Sequence, residues 1–154
     1  MQLHEFLDLE AIKPSLPATN KRGVFQILAQ MAGQRLGMDA GAVVAAVSDR
    51  ERLGSTGFGN GVAIPHGKLQ GLARIYCSVA RLSEPIDYKA IDGHPVDLVF
   101  FLLSPPDAGA DHLKALAAIS RAARHAPTLE KLRGARSRDA LAAVLIGADE
   151  RDAA

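Results

Sequence analysis

The chain has 154 residues, 48% of them hydrophobic and 23% charged, with a formal net charge of +1. That length suits one domain able to bury about two-thirds of its unfolded surface, and the composition excludes an intrinsically disordered chain. A near-zero net charge supplies no global field for gripping nucleic acid, and 5% aromatic content offers little for base stacking. A single cysteine, Cys77, excludes an internal disulfide and a multi-cysteine zinc site. Set in the strand-like run IYCSVARL, it reads as a buried structural thiol. No apolar run approaches the ~20 residues that cross a bilayer, and the acidic start MQLHEFLDLE lacks the basic opening of a signal peptide. A cytoplasmic protein without membrane insertion is expected.

In chain order, the opening up to Pro17 predicts a helical turn and a short strand around Ala11–Lys13. Thr19 or Asn20 can cap a first long helix, in which Val24, Ile27, Leu28 and Met31 fall at i, i+3, i+4 and i+7. Gly37 ends that helix, Asp39 can cap the next, and Val43, Val44 and Val47 give the second its apolar face. From Gly54 the character changes: GSTGFGNGVAIPHG holds five glycines in fourteen residues, a density no helix interior tolerates cheaply. Val62–Ile64 predicts a short strand leading out of this loop.

Two clearer strands follow, Arg74–Leu82 and Val96–Leu103, joined by a segment with the turn pair Asp92-Gly93. VDLVFFLL is apolar at nearly every position and predicts a central strand covered on both faces. Pro105 and Pro106 stop it, and Asp107 or Asp111 can begin a long helix with Leu113, Leu116 and Ile119 pointing one way. Pro127 breaks that helix; short helices near Thr128–Leu132 and Arg138–Ile146 follow. Helices before, between and after strands predict an α/β sandwich around one sheet. The organisation expected is one domain over residues 1–148 with a frayed tail at 149–154.

The glycine-rich stretch ends in Ile64-Pro65-His66-Gly67. Proline stiffens the approach to the imidazole, and glycine frees the chain beyond it. Gly57, Gly59 and Gly61 let backbone N–H groups turn inward toward an anion, and Ser55, Thr56 and Asn60 add side-chain donors. Arg50 lies just upstream. These parts suit phosphoryl transfer, in which the group is held by positioning and by neutralising its oxygens. A histidine nucleophile with a reference pKa of about 6.5 is mostly neutral near pH 7, so no general base is required.

Competing motifs fail. Gly57–Gly61 is G-x-G-x-G rather than the dinucleotide fingerprint, and Gly67-Lys68 is followed by Leu69 where a P-loop needs Ser or Thr. The five histidines show no close paired spacing for a metal, so no metal and no cofactor are expected. No G-x-S-x-G elbow supports a hydrolase triad of Ser55 with His112. On spacing alone His112 is a first-turn residue; His4 and His94 read as structural or surface residues, as does His125, which is expected to close the long helix. Arg121, Arg124, Lys131, Arg133, Arg136 and Arg138 form a basic stretch read as a solvated face, with a docking patch for an acidic partner as the alternative.

The run from Arg50 to Lys68, RERLGSTGFGNGVAIPHGK, closely resembles the active-site signature of type-2 enzyme IIA domains of the bacterial phosphoenolpyruvate-dependent phosphotransferase system. PIDYKAIDGHPVDLVFFLL and DHLKALAAISR resemble the same family, so the likeness covers most of the chain. Phe58 departs from the family's usual aliphatic residue. The resemblance implies a three-layer α/β/α sandwich with a central mixed sheet, and His66 as phosphoryl acceptor at Nε2 with Arg50 and His112 lining the pocket. It implies a small HPr-like phosphocarrier as donor. Within the family the phrasing is most similar to the nitrogen-regulatory branch. That branch implies regulation, through phosphorylation-dependent binding of targets such as a potassium transporter or a sensor kinase. A sugar-specific (fructose or mannitol) IIA subunit serving a IIB domain is one alternative, and a non-catalytic regulatory interaction module is another.

Overall fold

A computed structural model describes the backbone of residues 1–153 and the side chains up to Arg151. After a 3-10 turn at Leu3–Glu5, the elements run β1 (Leu7–Leu16), α1 (Lys21–Leu36), α2 (Ala40–Arg52), β2 (Gly57–Gly59), β3 (Val62–Ala63) and β4 (His66–Lys68). Then come β5 (Tyr76–Ile86), β6 (Val96–Ser104), α3 (Ala110–Ala123), α4 (Ala126–Gly134) and α5 (Arg138–Ala153). Period-2 alternation on β5 and β6 organises the interior. Tyr76, Ala80 and Leu82 with Val99, Phe101 and Leu103 enter a core shared with α1 and α2. Cys77 and Val79 with Leu98, Phe100 and Leu102 enter a second core shared with α3, α4 and α5. The result is three layers, with β6 buried on both faces as its sequence predicts.

The sheet order is β1-β5-β6-β3-β2, and β4 pairs with β6 beyond β3. β1 with β5, β3 with β6 and β4 with β6 are parallel; β5 with β6 and β2 with β3 are antiparallel. The sheet is therefore mixed. Asn20, one of the two expected caps, accepts from Gly23 N at 2.8 Å, and Asp39 accepts from Ala42 N at 3.0 Å. Gly37 closes α1 in the left-handed region at φ 67°. Among the described residues no helix is long and apolar enough to cross a membrane.

Four expectations differ from the structure. β1 is far longer than Ala11–Lys13; it is an edge strand, where the missing N–H of Pro14 is tolerated. Neither Asp107 nor Asp111 caps α3; Gly109 does, at φ 55°, and Asp111 sits in the first turn. Leu113 points outward, 67% exposed, because the buried face of α3 is His112, Ala115, Ala118, Ile119 and Ala122, whose small side chains let the helix lie close on the sheet. His125 begins α4 rather than closing α3: its ring accepts from Thr128 N at 3.3 Å, and Pro127 occupies the first turn.

The expected frayed tail also needs correction. α5 continues through Ala153, and Asp149 is buried. Its Oδ1 accepts from Leu3 N at 2.7 Å and its Oδ2 from His4 N at 2.9 Å, so it supplies acceptors the N-terminal turn lacks. Ala154 lies outside the described residues. Asp149→Ala strands these donors and should lower unfolding stability by roughly 2 kcal/mol. Urea titration checks it, and an unchanged midpoint would show that the terminal tie carries no stability.

Candidate active site

His66 opens β4, which lies in register with the end of β6: His66 with Leu102, Gly67 with Leu103, Lys68 with Ser104. The Pro65 carbonyl accepts from Leu102 N at 3.0 Å, anchoring the residue before the imidazole. Gly67 has a packing reason. A Cβ there would lie 3.0 Å from the Ala46 carbonyl carbon and 3.1 Å from Val47 N, so its absence lets β4 press on the backbone of α2. One helical turn further along α2 comes Arg50. Strand alternation turns His66 to the other face, toward α3, where the His112 ring lies 5.5 Å away between centroids.

Nδ1 of His66 is 2.8 Å from the carbonyl oxygen of Ile64. A carbonyl can only accept, so Nδ1 carries the proton and Nε2 keeps its lone pair. Burial pushes the His66 pKa below the ordinary histidine value; the bond to Ile64 opposes this, while the positive charge of Arg50 adds to it. Burial likewise depresses His112, helped by the charges of His66 and Lys68. His112 stands in the first turn of α3, and its Nδ1 lies 2.5 Å from the Ser104 hydroxyl oxygen. Ser104, which sequence reasoning missed, is fully buried at the end of β6.

Arg50 donates from Nη1 to the Gly54 carbonyl at 2.9 Å, so its partner is a carbonyl rather than a carboxylate. The neighbouring carboxylate points elsewhere. Glu51 accepts from Thr56 N at 2.9 Å, Tyr88 Oη at 3.1 Å and Lys21 Nζ at 3.0 Å, and also from the Thr56 hydroxyl. Burial alone would raise the Glu51 pKa, but the bonds from Thr56 and Lys21 win and hold it below the usual carboxylate value.

This changes the reading of the glycine-rich loop. Thr56 is buried with both its N–H and its hydroxyl committed to Glu51, so it ties the loop to α2 rather than offering donors to an anion. Ser55 stays half-buried beside Arg50 and accepts from Gly57 N at 3.1 Å. Gly57 is there for space: a Cβ would meet Ala90 Cβ at 2.5 Å. Gly59, Asn60 and Gly61 form the tip of the β2–β3 hairpin, with φ of 115°, 57° and 79°. The Gly61 carbonyl accepts from Leu98 N, four residues along β6 from Leu102, which puts the tip roughly 13 Å of strand away from His66. Asn60 N donates to Asp92 at 3.1 Å, and Arg133, paired through Nε with Asp97 Oδ2 at 2.9 Å, donates to the Asn60 carbonyl.

The profile of the family described as "Phosphoenolpyruvate-dependent sugar phosphotransferase system, EIIA 2" matches residues 5–147. The chain belongs to this EIIA 2 family. It is 47% identical over 145 residues to a nitrogen regulatory protein of Bradyrhizobium diazoefficiens, covering 94% of this chain and 95% of the relative. It is 36% identical over 143 residues to a fructose-specific EIIA component of Haloferax volcanii, covering 89% and 90%. The crystal structure of the nitrogen regulatory protein IIA-Ntr from Neisseria meningitidis superposes with a TM-score of 0.88 at 31% identity, covering 93% of this chain and 98% of that one.

In this EIIA 2 chain two exposed leucines adjoin site residues. Leu53, whose N–H donates to the Arg50 carbonyl, is 84% exposed, and Leu113 follows His112. Ile91, 89% exposed, precedes the Asp92 that holds the hairpin tip. The basic stretch is largely engaged: Arg133 with Asp97, Arg138 with Glu10 at 2.8 Å, Arg121 with the Met1 carbonyl. His4 bonds Asp149. Cys77 is fully buried, and burial pushes its thiol pKa up.

The depressed histidines make a pH prediction. Unfolded, each takes a proton near about pH 6.5; folded, each resists until lower pH. The unfolded state therefore binds more protons in that window, and stability must rise with pH through it and fall on acidification. Denaturant midpoints measured on either side of the window should drop less for His66→Ala/His112→Ala than for the wild type. Parallel pH profiles would show that the two rings are not held neutral.

Proposed function

We propose that this EIIA 2 chain is a cytoplasmic phosphoryl carrier that takes a phosphoryl group from a phosphohistidine of an HPr-like carrier onto Nε2 of His66. The observation that carries the reading is the Nδ1–H bond to Ile64, which leaves Nε2 as the free nucleophile beside His112 and within the field of Arg50. The P–N bond to the donor imidazole breaks as the bond to Nε2 forms. A donor whose second ring nitrogen is protonated leaves as neutral imidazole, and the His66 proton stays on Nδ1, donated to the Ile64 carbonyl, so no proton changes hands. A histidine-to-histidine exchange is close to balanced in energy, which leaves positioning and charge as the protein's task. Arg50 and the positive end of α3, whose first turn holds His112, supply that charge.

Relatives named nitrogen regulatory protein support a regulatory use of the mark, in which partners, for example a potassium transporter or sensor kinase, distinguish the two states of His66. The fructose-specific relative favours a second reading, in which the chain passes phosphate to a IIB domain. Transfer to a purified sugar-type IIB separates the two.

Incubation with the phosphorylated carrier should give an acid-labile phosphohistidine. His66→Ala should abolish it, and Arg50→Ala should slow transfer by about tenfold or more while leaving the fold intact. Labelling that survives His66→Ala would falsify the assignment. Leu113 makes a separate prediction: Leu113→Asp should raise the KM for the carrier several-fold, on the order of the 1 kcal/mol an apolar contact supplies, with kcat unchanged. An unaltered KM would remove α3 from the docking surface.

A further inference from the structure

Ser104 ends β6 with no solvent exposure, and its hydroxyl oxygen lies 2.5 Å from Nδ1 of His112. Its backbone is fixed independently: the carbonyl accepts from Leu69 N at 2.9 Å, and the residue is in register with Lys68. Only the hydroxyl is free to choose a direction. Among the described residues His112 is the single hydrogen-bond partner of that hydroxyl. If Nδ1–H donated to it, the serine proton would be buried with no acceptor, an arrangement that costs about 1–3 kcal/mol. If the serine donates, its proton has the Nδ1 lone pair as acceptor.

A neutral imidazole has one N–H and one lone pair, so accepting at Nδ1 obliges Nε2 to carry the proton. We propose that Ser104 is a positioning residue that donates to Nδ1 of His112 and so fixes its Nε2–H tautomer, which presents an N–H donor to the phosphoryl group on His66. The opposite tautomer would turn a lone pair toward anionic oxygens. The two histidines thus hold opposite tautomers: a backbone carbonyl makes His66 a nucleophile, and a buried hydroxyl makes His112 a donor. The donor role of His112 rests on the phosphoryl-carrier reading; the tautomer does not.

The tautomer is readable by long-range proton–nitrogen NMR on unphosphorylated protein at about pH 8, where both rings are neutral. Wild type should show only the Nε2–H form of His112, and Ser104→Ala a mixture. A wild-type Nδ1–H form overturns the proposal. In transfer from the phosphorylated carrier, Ser104→Ala should lower kcat by roughly tenfold with KM unchanged, the scale expected when one donor is misdirected. An unchanged kcat overturns the assisting role. A wild type that takes no phosphoryl group on His66 overturns the carrier reading instead, and the tautomer measurement still decides the Ser104 bond.

Discussion

The hydrogen bond from Nδ1 of His66 to the Ile64 carbonyl sets the terms for the rest of the molecule. It runs back only two residues, so its geometry is fixed by the φ of Pro65 and by the tie from the Pro65 carbonyl to Leu102. β6 must therefore be rigid where β4 docks, and it is: it is buried on both faces and flanked by β5 on its other side. Gly67, by admitting α2 against β4, joins this rigid point to the helix that carries Arg50. The His66 imidazole and the helix that carries Arg50 are thus positioned by backbone packing.

Charge is arranged with the same economy. A guanidinium about 4 Å from an arriving phosphoryl charge is worth roughly 4 kcal/mol at an effective dielectric near 20, provided no carboxylate cancels it. Glu51, the residue next to Arg50, is the obvious threat. It is bound instead by Thr56, Tyr88 and Lys21, whose bonds hold it ionised. Burial lowers the His66 pKa and the Arg50 charge adds a smaller push the same way, while the Glu51 charge still raises it. The same bonds pin the loop start, Ser55–Gly57, and hence the turn that receives the Arg50 guanidinium at Gly54. One buried carboxylate, paired with Lys21, thus fixes the loop that orients the useful charge.

What the sequence revealed and what it hid follow from the range of each interaction. Local rules were legible: Asn20, Asp39 and Gly37 cap where a helix end needs a donor or a left-handed residue, and VDLVFFLL is a central strand because nothing polar interrupts it. His66 stood out because proline and glycine flank it. The roles of the surrounding glycines were not legible, since they depend on what packs against them: Ala90 against Gly57, Arg133 and Asp97 against Gly61. Thr56 looked like an anion donor until the fold supplied Glu51 as its partner. Asp149 looked like tail because its partners, Leu3 and His4, lie at the opposite end of the chain.

The face of α3 shows how chemistry and recognition come to sit side by side. Periodicity favoured Leu113, Leu116 and Ile119 as the buried stripe, but a helix turns about 100° per residue, so His112 and Leu113 cannot both face the sheet. The alanines at 115, 118 and 122 decide the matter: they let the backbone approach closely only when their own row faces inward, and His112 shares that row. Leu113 is thereby driven to the surface next to the ring that faces His66. It thus borders a polar centre whose charge would change if His66 were phosphorylated. On the phosphoryl-carrier reading, a partner docking there would meet the same apolar contact in both states and a different electrostatic centre, so discrimination between them would come from charge rather than from shape.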